Sequence, residues 1–483
     1  MHRRYFIMDI ADLASKAVIK ISKGKGKRLA KQGKAPELPK VEPITIKNTS
    51  DGKFDVGFAA METMPDDFGK QKYYIAGHKM AQDMTGFHDP ITVSAMWIGV
   101  GEEGGIIMVS ADMIGLTNTE VNLIRASLAN FSEKAKCKAI NISCTHQHAG
   151  FDTVGYWGRL PFTGKVDSYM NKIFANIKTV CEQAYANRTK GDLFIGTSHV
   201  PEAQHCKREN MHLHDTLTRI RFVPDNGSKE TWFLNYAAHP NTLGGGNTLC
   251  SADYPYFLRQ TIYAEKDVNV LYGIGAIGAV DPGFPEIEDK WQRVEKQGET
   301  LGKAALAIEN DRKMPVEITV LQQPFYYHAD NSVLFFLAML KVMSSKVAQS
   351  DKSELGAALV SEMTYMKLGT QQILFIPGEA FPDVAYGGAV SAEESATGRG
   401  PEINPPSFIE AAGDDELLIF GVSNDFTGYV VLPNDFVLHP TQPYLSNGKD
   451  RFDRGHYHET NSMGISAAKT LSETVSDIMS RVK

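Results

Sequence analysis

The chain has 483 residues, 42% of them hydrophobic and 22% charged, enough to bury a large core. A formal net charge of −7 excludes an overall basic footprint, so no nucleic-acid partner is expected. The five cysteines, Cys137, Cys144, Cys181, Cys206 and Cys250, form no CxxC pair, which argues against a disulfide framework and for a reducing compartment.

The N-terminus, MHRRYFIMDIADLASKAVIK, has no long apolar run before a small-residue cleavage site, and Asp9 and Asp12 interrupt it. No stretch reaches the ~20 apolar residues of a spanning helix, so a cytoplasmic protein without a transmembrane segment is expected. Residues 9–22 place Ile10, Leu13, Ala17, Val18 and Ile21 near helical spacing, and a lysine-rich stretch broken by Gly and Pro follows. Residues 1–43 therefore read as a basic extension with a short amphipathic helix. It is either a surface-binding arm or, as charge runs more often are, a solvated segment packed on the domain or on a partner subunit.

From residue 44 to 483 there is no linker and no solenoid-type repeat, so one catalytic-sized domain is expected. Short apolar runs each end in a polar cluster, as in KAINISCTHQHAG, ETWFLNYAAHPNTLGGG, QQILFIPGEAFPD and ELLIFGVSNDFTGY. Such runs suit strands buried on both faces. Helical patterns lie between them, including TEVNLIRASLANFSEKAK and DSYMNKIFANIKTVCEQAYAN. Residues 333–366 look partly helical and are expected to form an insertion. The fold class is α/β or α+β, a large domain with mixed sheets flanked by helices.

Polar residues gather where these strands end, the edge at which open α/β sheets bind ligands. His146 and His148, in Thr145-His146-Gln147-His148, share a direction only if the chain turns there; a lone histidine is more often a hydrogen-bonded core residue. His239 ends its run before Pro240 and a glycine cluster. Glu379 follows ILFIPG directly, where burial needs a charge partner or a metal, although a first-turn acid is common. Tyr429 beside Val430 and Val431 reads alone as core. Two histidines and a carboxylate supply the ligand set of many catalytic zinc sites. HExxH, GxSxG and P-loop motifs are absent, and GIGAIG (Gly273–Gly278) runs into Asp281-Pro282, which disfavours dinucleotide binding.

Taken in order, FDVGFAAMETMP, HDPITVSAMWIGV, IIMVSADMIGL, SCTHQHAG, NYAAHPNTL, CSADYP, GAVDPG, IPGEAF, NDFTGYVV and HYHETNS resemble the catalytic domain of neutral ceramidases, from about Phe54 to Ala468. The resemblance implies zinc held by His146, His239, Glu379 and Tyr429, with His148 and, by a loose match, Arg208 at the substrate. The chain departs from the family where Asp281 stands at the position of the family serine. It departs again where His458-Glu459, preceded by Tyr457, replaces a tyrosine before glutamate. The family's immunoglobulin-like C-terminal domain and the secretion signal of many members are not expected here. Ceramide itself is therefore not the expected substrate.

The expected activity is metal-dependent hydrolysis of a carbon–nitrogen (amide) bond in a small-molecule substrate, lipid-like or not. An activated water replaces the serine, Asp281 acts as base or orienting group (or is only a turn residue), His148 or His458 serves as proton donor, and Arg208 as oxyanion partner. An ester or lactone substrate, a metal-assisted lyase and a metal-retaining binding protein remain the alternatives. Iron or manganese suits the same ligands. Phe151, Tyr156, Trp157 and Phe162 are candidates to line an apolar cleft. A homo-oligomer is possible.

Overall fold

The computed structural model describes residues 10–47, 52–208 and 211–482. It contains two large sheets. The first has nine strands, in the spatial order Asn269–Ile274, Thr231–Tyr236, Thr216–Pro224, Thr189–His199, Phe54–Glu62, Thr92–Gly99, Gly105–Ala111 and Cys137–Cys144, with Arg312–Lys313 on the side of Thr189–His199. Neighbours run antiparallel except at the two ends, where Thr231–Tyr236 pairs parallel with Asn269–Ile274 and Gly105–Ala111 pairs parallel with Cys137–Cys144.

The second sheet has six strands, in the order Ile44–Lys47, Glu317–His328, Ala357–Leu368, Gln371–Phe375 and Leu418–Phe420, with Val347–Gln349 also on Ala357–Leu368. Its last pair, Gln371–Phe375 with Leu418–Phe420, is parallel.

Strand alternation sorts the side chains into layers. Along Thr92–Gly99, Val93, Ala95 and Trp97 join a core with the helices Asp167–Ala186, Tyr254–Glu265 and Lys290–Leu306. Met96 and Ile98 face the other way, into a core shared with Ile318, Met366, Ile373, Phe375 and Phe420 of the second sheet. The far face of that sheet carries Phe325, Tyr327, Met363 and Leu374, packed with Ser332–Met339 and the C-terminal helix Ala467–Val482. The architecture is thus helices, sheet, sheet, helices. All seven residues of Gly105–Ala111 are buried because both sheet faces are covered.

Two expectations change. Helicity within residues 333–366 is confined to Ser332–Met339; Ala357–Leu368 is a twelve-residue strand with eleven register partners on Glu317–His328. An apolar run buried on both faces lacks the two-residue alternation that would have marked it. The N-terminal helix does not stop at residue 22 but runs Ile10–Lys31 through Gly24 and Gly26, and it packs on Ser332–Met339. Asp9 lies outside the described residues. Ser15, Ser22 and Gly26 form its buried face, and a Cβ at position 26 would collide with the Leu355 carbonyl. Among the described residues, no helix is long and apolar enough to cross a membrane, and the five cysteines are free thiols.

Candidate metal centre

Each candidate ligand leaves the C-terminal end of a different strand. Cys137–Cys144 delivers His146 and Thr231–Tyr236 delivers His239, both from the first sheet. Gln371–Phe375 precedes Glu379, and Leu418–Phe420 precedes Tyr429, both from the second. A two-strand parallel ribbon, Glu379–Ala380 with Tyr429–Val430, sets Glu379 in register with Tyr429. The turn that the Thr-His-Gln-His spacing requires is made by His146 itself, at φ 59 in the left-handed region. Ala279, Val422 and Asn424 also have positive φ (59, 42 and 61). Two of them tie down the strand that precedes His146: the Asn424 side-chain Oδ1 accepts from Ile142 N, and the Val422 carbonyl from Cys144 N. Strain in non-glycine residues is retained where the surroundings fix it, commonly at functional sites.

His146, His148 and His239 offer ring nitrogens that all lie within 4.8 Å of one another, and all three side chains are buried. Glu379 Oε2 sits 2.9 Å from His239 Nε2 and 3.3 Å from His146 Nε2. The other ring nitrogens are committed: His146 Nδ1 donates to the Ile114 carbonyl at 2.7 Å, and His239 Nδ1 to the Val280 carbonyl at 3.0 Å. A carbonyl only accepts, so each Nδ1 carries its proton there and each Nε2 is the nitrogen turned toward the carboxylate. Burial alone would raise the Glu379 carboxyl, but His146 and His239 beside it bring it down to about 2, so it is ionised. The two Nε2 atoms and the Glu379 carboxylate converge on one point. The residues therefore fit a divalent metal, with each imidazole oriented by a carbonyl in the manner of ligating histidines.

His148 differs. Its Nε2 is 3.1 Å from His146 Nε2, yet its Nδ1 has no hydrogen-bond partner. Burial, then the neighbouring His146, holds it well below the usual histidine range, so the ring is neutral. Gly77, at φ +105, makes room for it, because a Cβ there would collide with the His148 ring.

A cavity of about 480 Å³ opens onto this group. His146, His148, Glu379 and Tyr429 line one end with His78 and Tyr457; Trp157, Leu334, Met343, Leu359, Phe426 and Met463 make it apolar elsewhere. Burial, then the Glu379 charge, pushes the Tyr429 hydroxyl well above its normal range, so it keeps its proton; it pairs with Tyr457. Of the expected aromatic liners, Tyr156 and Trp157 are present, Phe151 is in the first core and Phe162 is exposed.

The remaining sequence candidates stand apart from the cavity wall. Arg208 bonds Asp435 Oδ2 at 2.6 Å and Glu459 Oε1 at 3.0 Å, lining a separate cavity of about 200 Å³. Its Nη2 lies 3.3 Å from His458 Nδ1. His458 is therefore an acceptor at Nδ1 and a donor at Nε2, and that Nε2 is buried without a partner. Burial, then Arg208, keeps its pKa far below normal. His456 is buried and bonded to Glu459 Oε1 at 2.7 Å. Asp281 pairs with Lys207 at 2.9 Å and accepts from Asn241 at 3.0 Å. Burial opposes its charge, but Lys207 and His239 outweigh it and lower the carboxyl. His78, whose ring centroid lies 5.0 Å from that of His148, escaped the sequence reading. Its only signal was a histidine after a glycine in IAGHKM, with no strand end to mark it.

No family model matches the sequence, and no curated protein matches it. Among solved structures, the chain superposes on the neutral ceramidase from Pseudomonas aeruginosa with a TM-score of 0.67, covering 90% of this chain and 75% of that one at 13% identity. A ceramidase complexed with C2 gives a TM-score of 0.68 over 89% and 75%, again at 13% identity. The chain has a neutral-ceramidase-like fold. At this identity the likeness speaks for the fold alone, and the ceramidase-like fold agrees with the order of motifs in the sequence.

Proposed function

We propose that the chain is a zinc-dependent hydrolase acting on the amide bond of a small molecule with an apolar arm. The observation that carries the reading is the convergence of His146 Nε2 and His239 Nε2 on the ionised Glu379 carboxylate at one end of a largely apolar cavity. His146, His239 and Glu379 would hold the metal, with Tyr429 beside Glu379 as fourth ligand. His148 is left out of that set because no carbonyl or carboxylate orients its second nitrogen. Zinc in such a site supplies Lewis acidity for an attacking water and for the scissile carbonyl.

The chain's own residues do the rest. His148, on the cavity wall beside His146, would contact the substrate there. Tyr457, at the polar end of the cavity, is a second hydroxyl next to Tyr429. Trp157, Leu334, Leu359 and Met463 receive an acyl chain and exclude water. Asp281, bound to Lys207, holds charge beside Val280, whose carbonyl fixes His239; its role is to position that histidine. Arg208 likewise acts through His458 and Glu459. A serine would not be needed if His146, His239 and Glu379 held a metal, since a water activated there would be the nucleophile.

The test is a panel of N-acyl amines of increasing chain length, with matched esters and lactones, given to the zinc-loaded protein. Release of free acid and amine in equal amounts, abolished in His239→Ala, is expected. Amides left intact while esters or lactones turn over, or an unsaturated product, would replace this reading.

A further inference from the structure

The N-terminal helix divides into three sectors around its axis. Ser15, Val18, Ile19, Ser22, Gly26 and Leu29 face the protein, buried or half-buried at three- and four-residue spacing. Lys16, Lys20, Lys23, Lys27 and Lys31 form an exposed second row. Leu13, Ala17, Ile21 and Gly24 form a third, continued by Arg28 and also exposed; Leu13 and Ile21 leave 49% and 51% of their surface open. That third row borders a groove of about 590 Å³ whose other wall is Phe336, Met339 and the 44% exposed Leu340.

The charge is concentrated here. Helix Ile10–Lys31 carries seven basic residues against one acidic, Asp12, hence +6. The whole chain is −7, so the remainder amounts to −13. Asp12 faces Gln442 and Thr441, its hydrogen-bond partners.

We propose that this face docks on the surface of an anionic lipid bilayer, with Leu13, Ile21 and Leu340 entering the headgroup boundary and the lysine row lying over acidic headgroups. A row of apolar side chains flanked by lysines, on a helix held parallel to the protein surface, is the arrangement of interfacial helices. A nucleic acid would use the lysines but leave the apolar row without a partner. A strongly acidic remainder keeps the rest of the molecule off the same surface. Helix Ser332–Met339 joins this face to the cavity, since it turns Leu334 into the cavity and Phe336 and Met339 towards the groove. A docked bilayer would lie about one helix diameter, roughly 10 Å, from the cavity wall.

The docking does not depend on the proposed activity, and its test needs no substrate. Full-length protein is sedimented with vesicles of phosphatidylcholine alone and of phosphatidylcholine with phosphatidylserine. Sedimentation with the anionic vesicles only, falling at least tenfold at high salt, is expected. The triple variant Lys20→Glu, Lys23→Glu, Lys27→Glu should abolish it. Ile21→Ser with Leu13→Ser should reduce it several-fold at unchanged thermal stability. No sedimentation with anionic vesicles, equal sedimentation with neutral ones, or a solution dimer that Ile21→Ser dissociates would overturn the proposal.

Discussion

At the scale of single residues, the site depends on His146, His239 and Glu379 meeting at one point. His239→Ala removes an Nε2 lone pair and should weaken zinc binding by at least tenfold, read by competition with a chelating dye. His148→Gln should leave that affinity within a few-fold and instead lower turnover; equal loss of metal in both variants would move His148 into the ligand set. Gly77→Ala puts a Cβ into the His148 ring at a positive φ, costing about 1–3 kcal/mol in denaturant unfolding together with activity. Glu459 is lowered too: burial opposes its charge, while His456 and Arg208 more than offset it. A carboxylate depressed in the folded state adds stability above its unfolded pKa, about 4.3, and loses it as pH falls through the folded value. Glu459→Gln should therefore flatten the acid limb of the stability profile and cost about 3 kcal/mol at pH 7. A limb of unchanged steepness would count against the network. The sequence disclosed His146, His239 and Glu379 because each follows an apolar run. It did not disclose that Arg208 and Asp281 spend their charges on Glu459, Asp435 and Lys207, since ion pairs across roughly 70 to 250 positions leave no local pattern.

At the scale of elements, the short ribbon Glu379–Ala380 with Tyr429–Val430 aims two of the candidate ligands. Gly378 approaches Gly428 so closely that a Cβ would sit 2.6 Å from its carbonyl oxygen and 2.8 Å from Thr427 Oγ1. Gly378→Ala should therefore displace the Glu379–Ala380 strand and weaken zinc binding while far-UV circular dichroism stays the same. Unchanged affinity would mean that the ribbon does not set Glu379. Strand ends carrying the ligands were legible as apolar runs closed by polar clusters. Ala357–Leu368 was not, because a run buried on both faces has neither the period of an amphipathic helix nor that of a half-exposed strand. The helix beyond residue 22 was hidden by Gly24 and Gly26, whose individual cost of about 1 kcal/mol is offset by packing that a sequence does not reveal.

At the scale of the molecule, the two sheets share a core in which the Phe420 ring stacks on Phe375 and meets Phe233 edge-on, each at 5.1 Å between centroids. Phe375→Ala should cost about 3–5 kcal/mol in chemical unfolding. Because His146 and His239 come from one sheet and Glu379 and Tyr429 from the other, the proposed metal binding would be linked to sheet packing. A ligand at one hundred times its Kd adds about 2.7 kcal/mol to the folded state, so zinc should raise the melting temperature and a chelator should lower it. The two-sheet arrangement was not readable from the chain, since the pairing order follows contacts distant in sequence. The α/β class and the position of the polar cluster at strand ends were readable.

Zinc content of the purified chain, measured by elemental analysis alongside the His146→Ala, His239→Ala double variant, tests the central claim most directly. The metal site described here predicts about one zinc per folded chain and almost none in the variant. Equal zinc in both proteins, or a wild-type chain that takes up none when zinc is supplied, would contradict it.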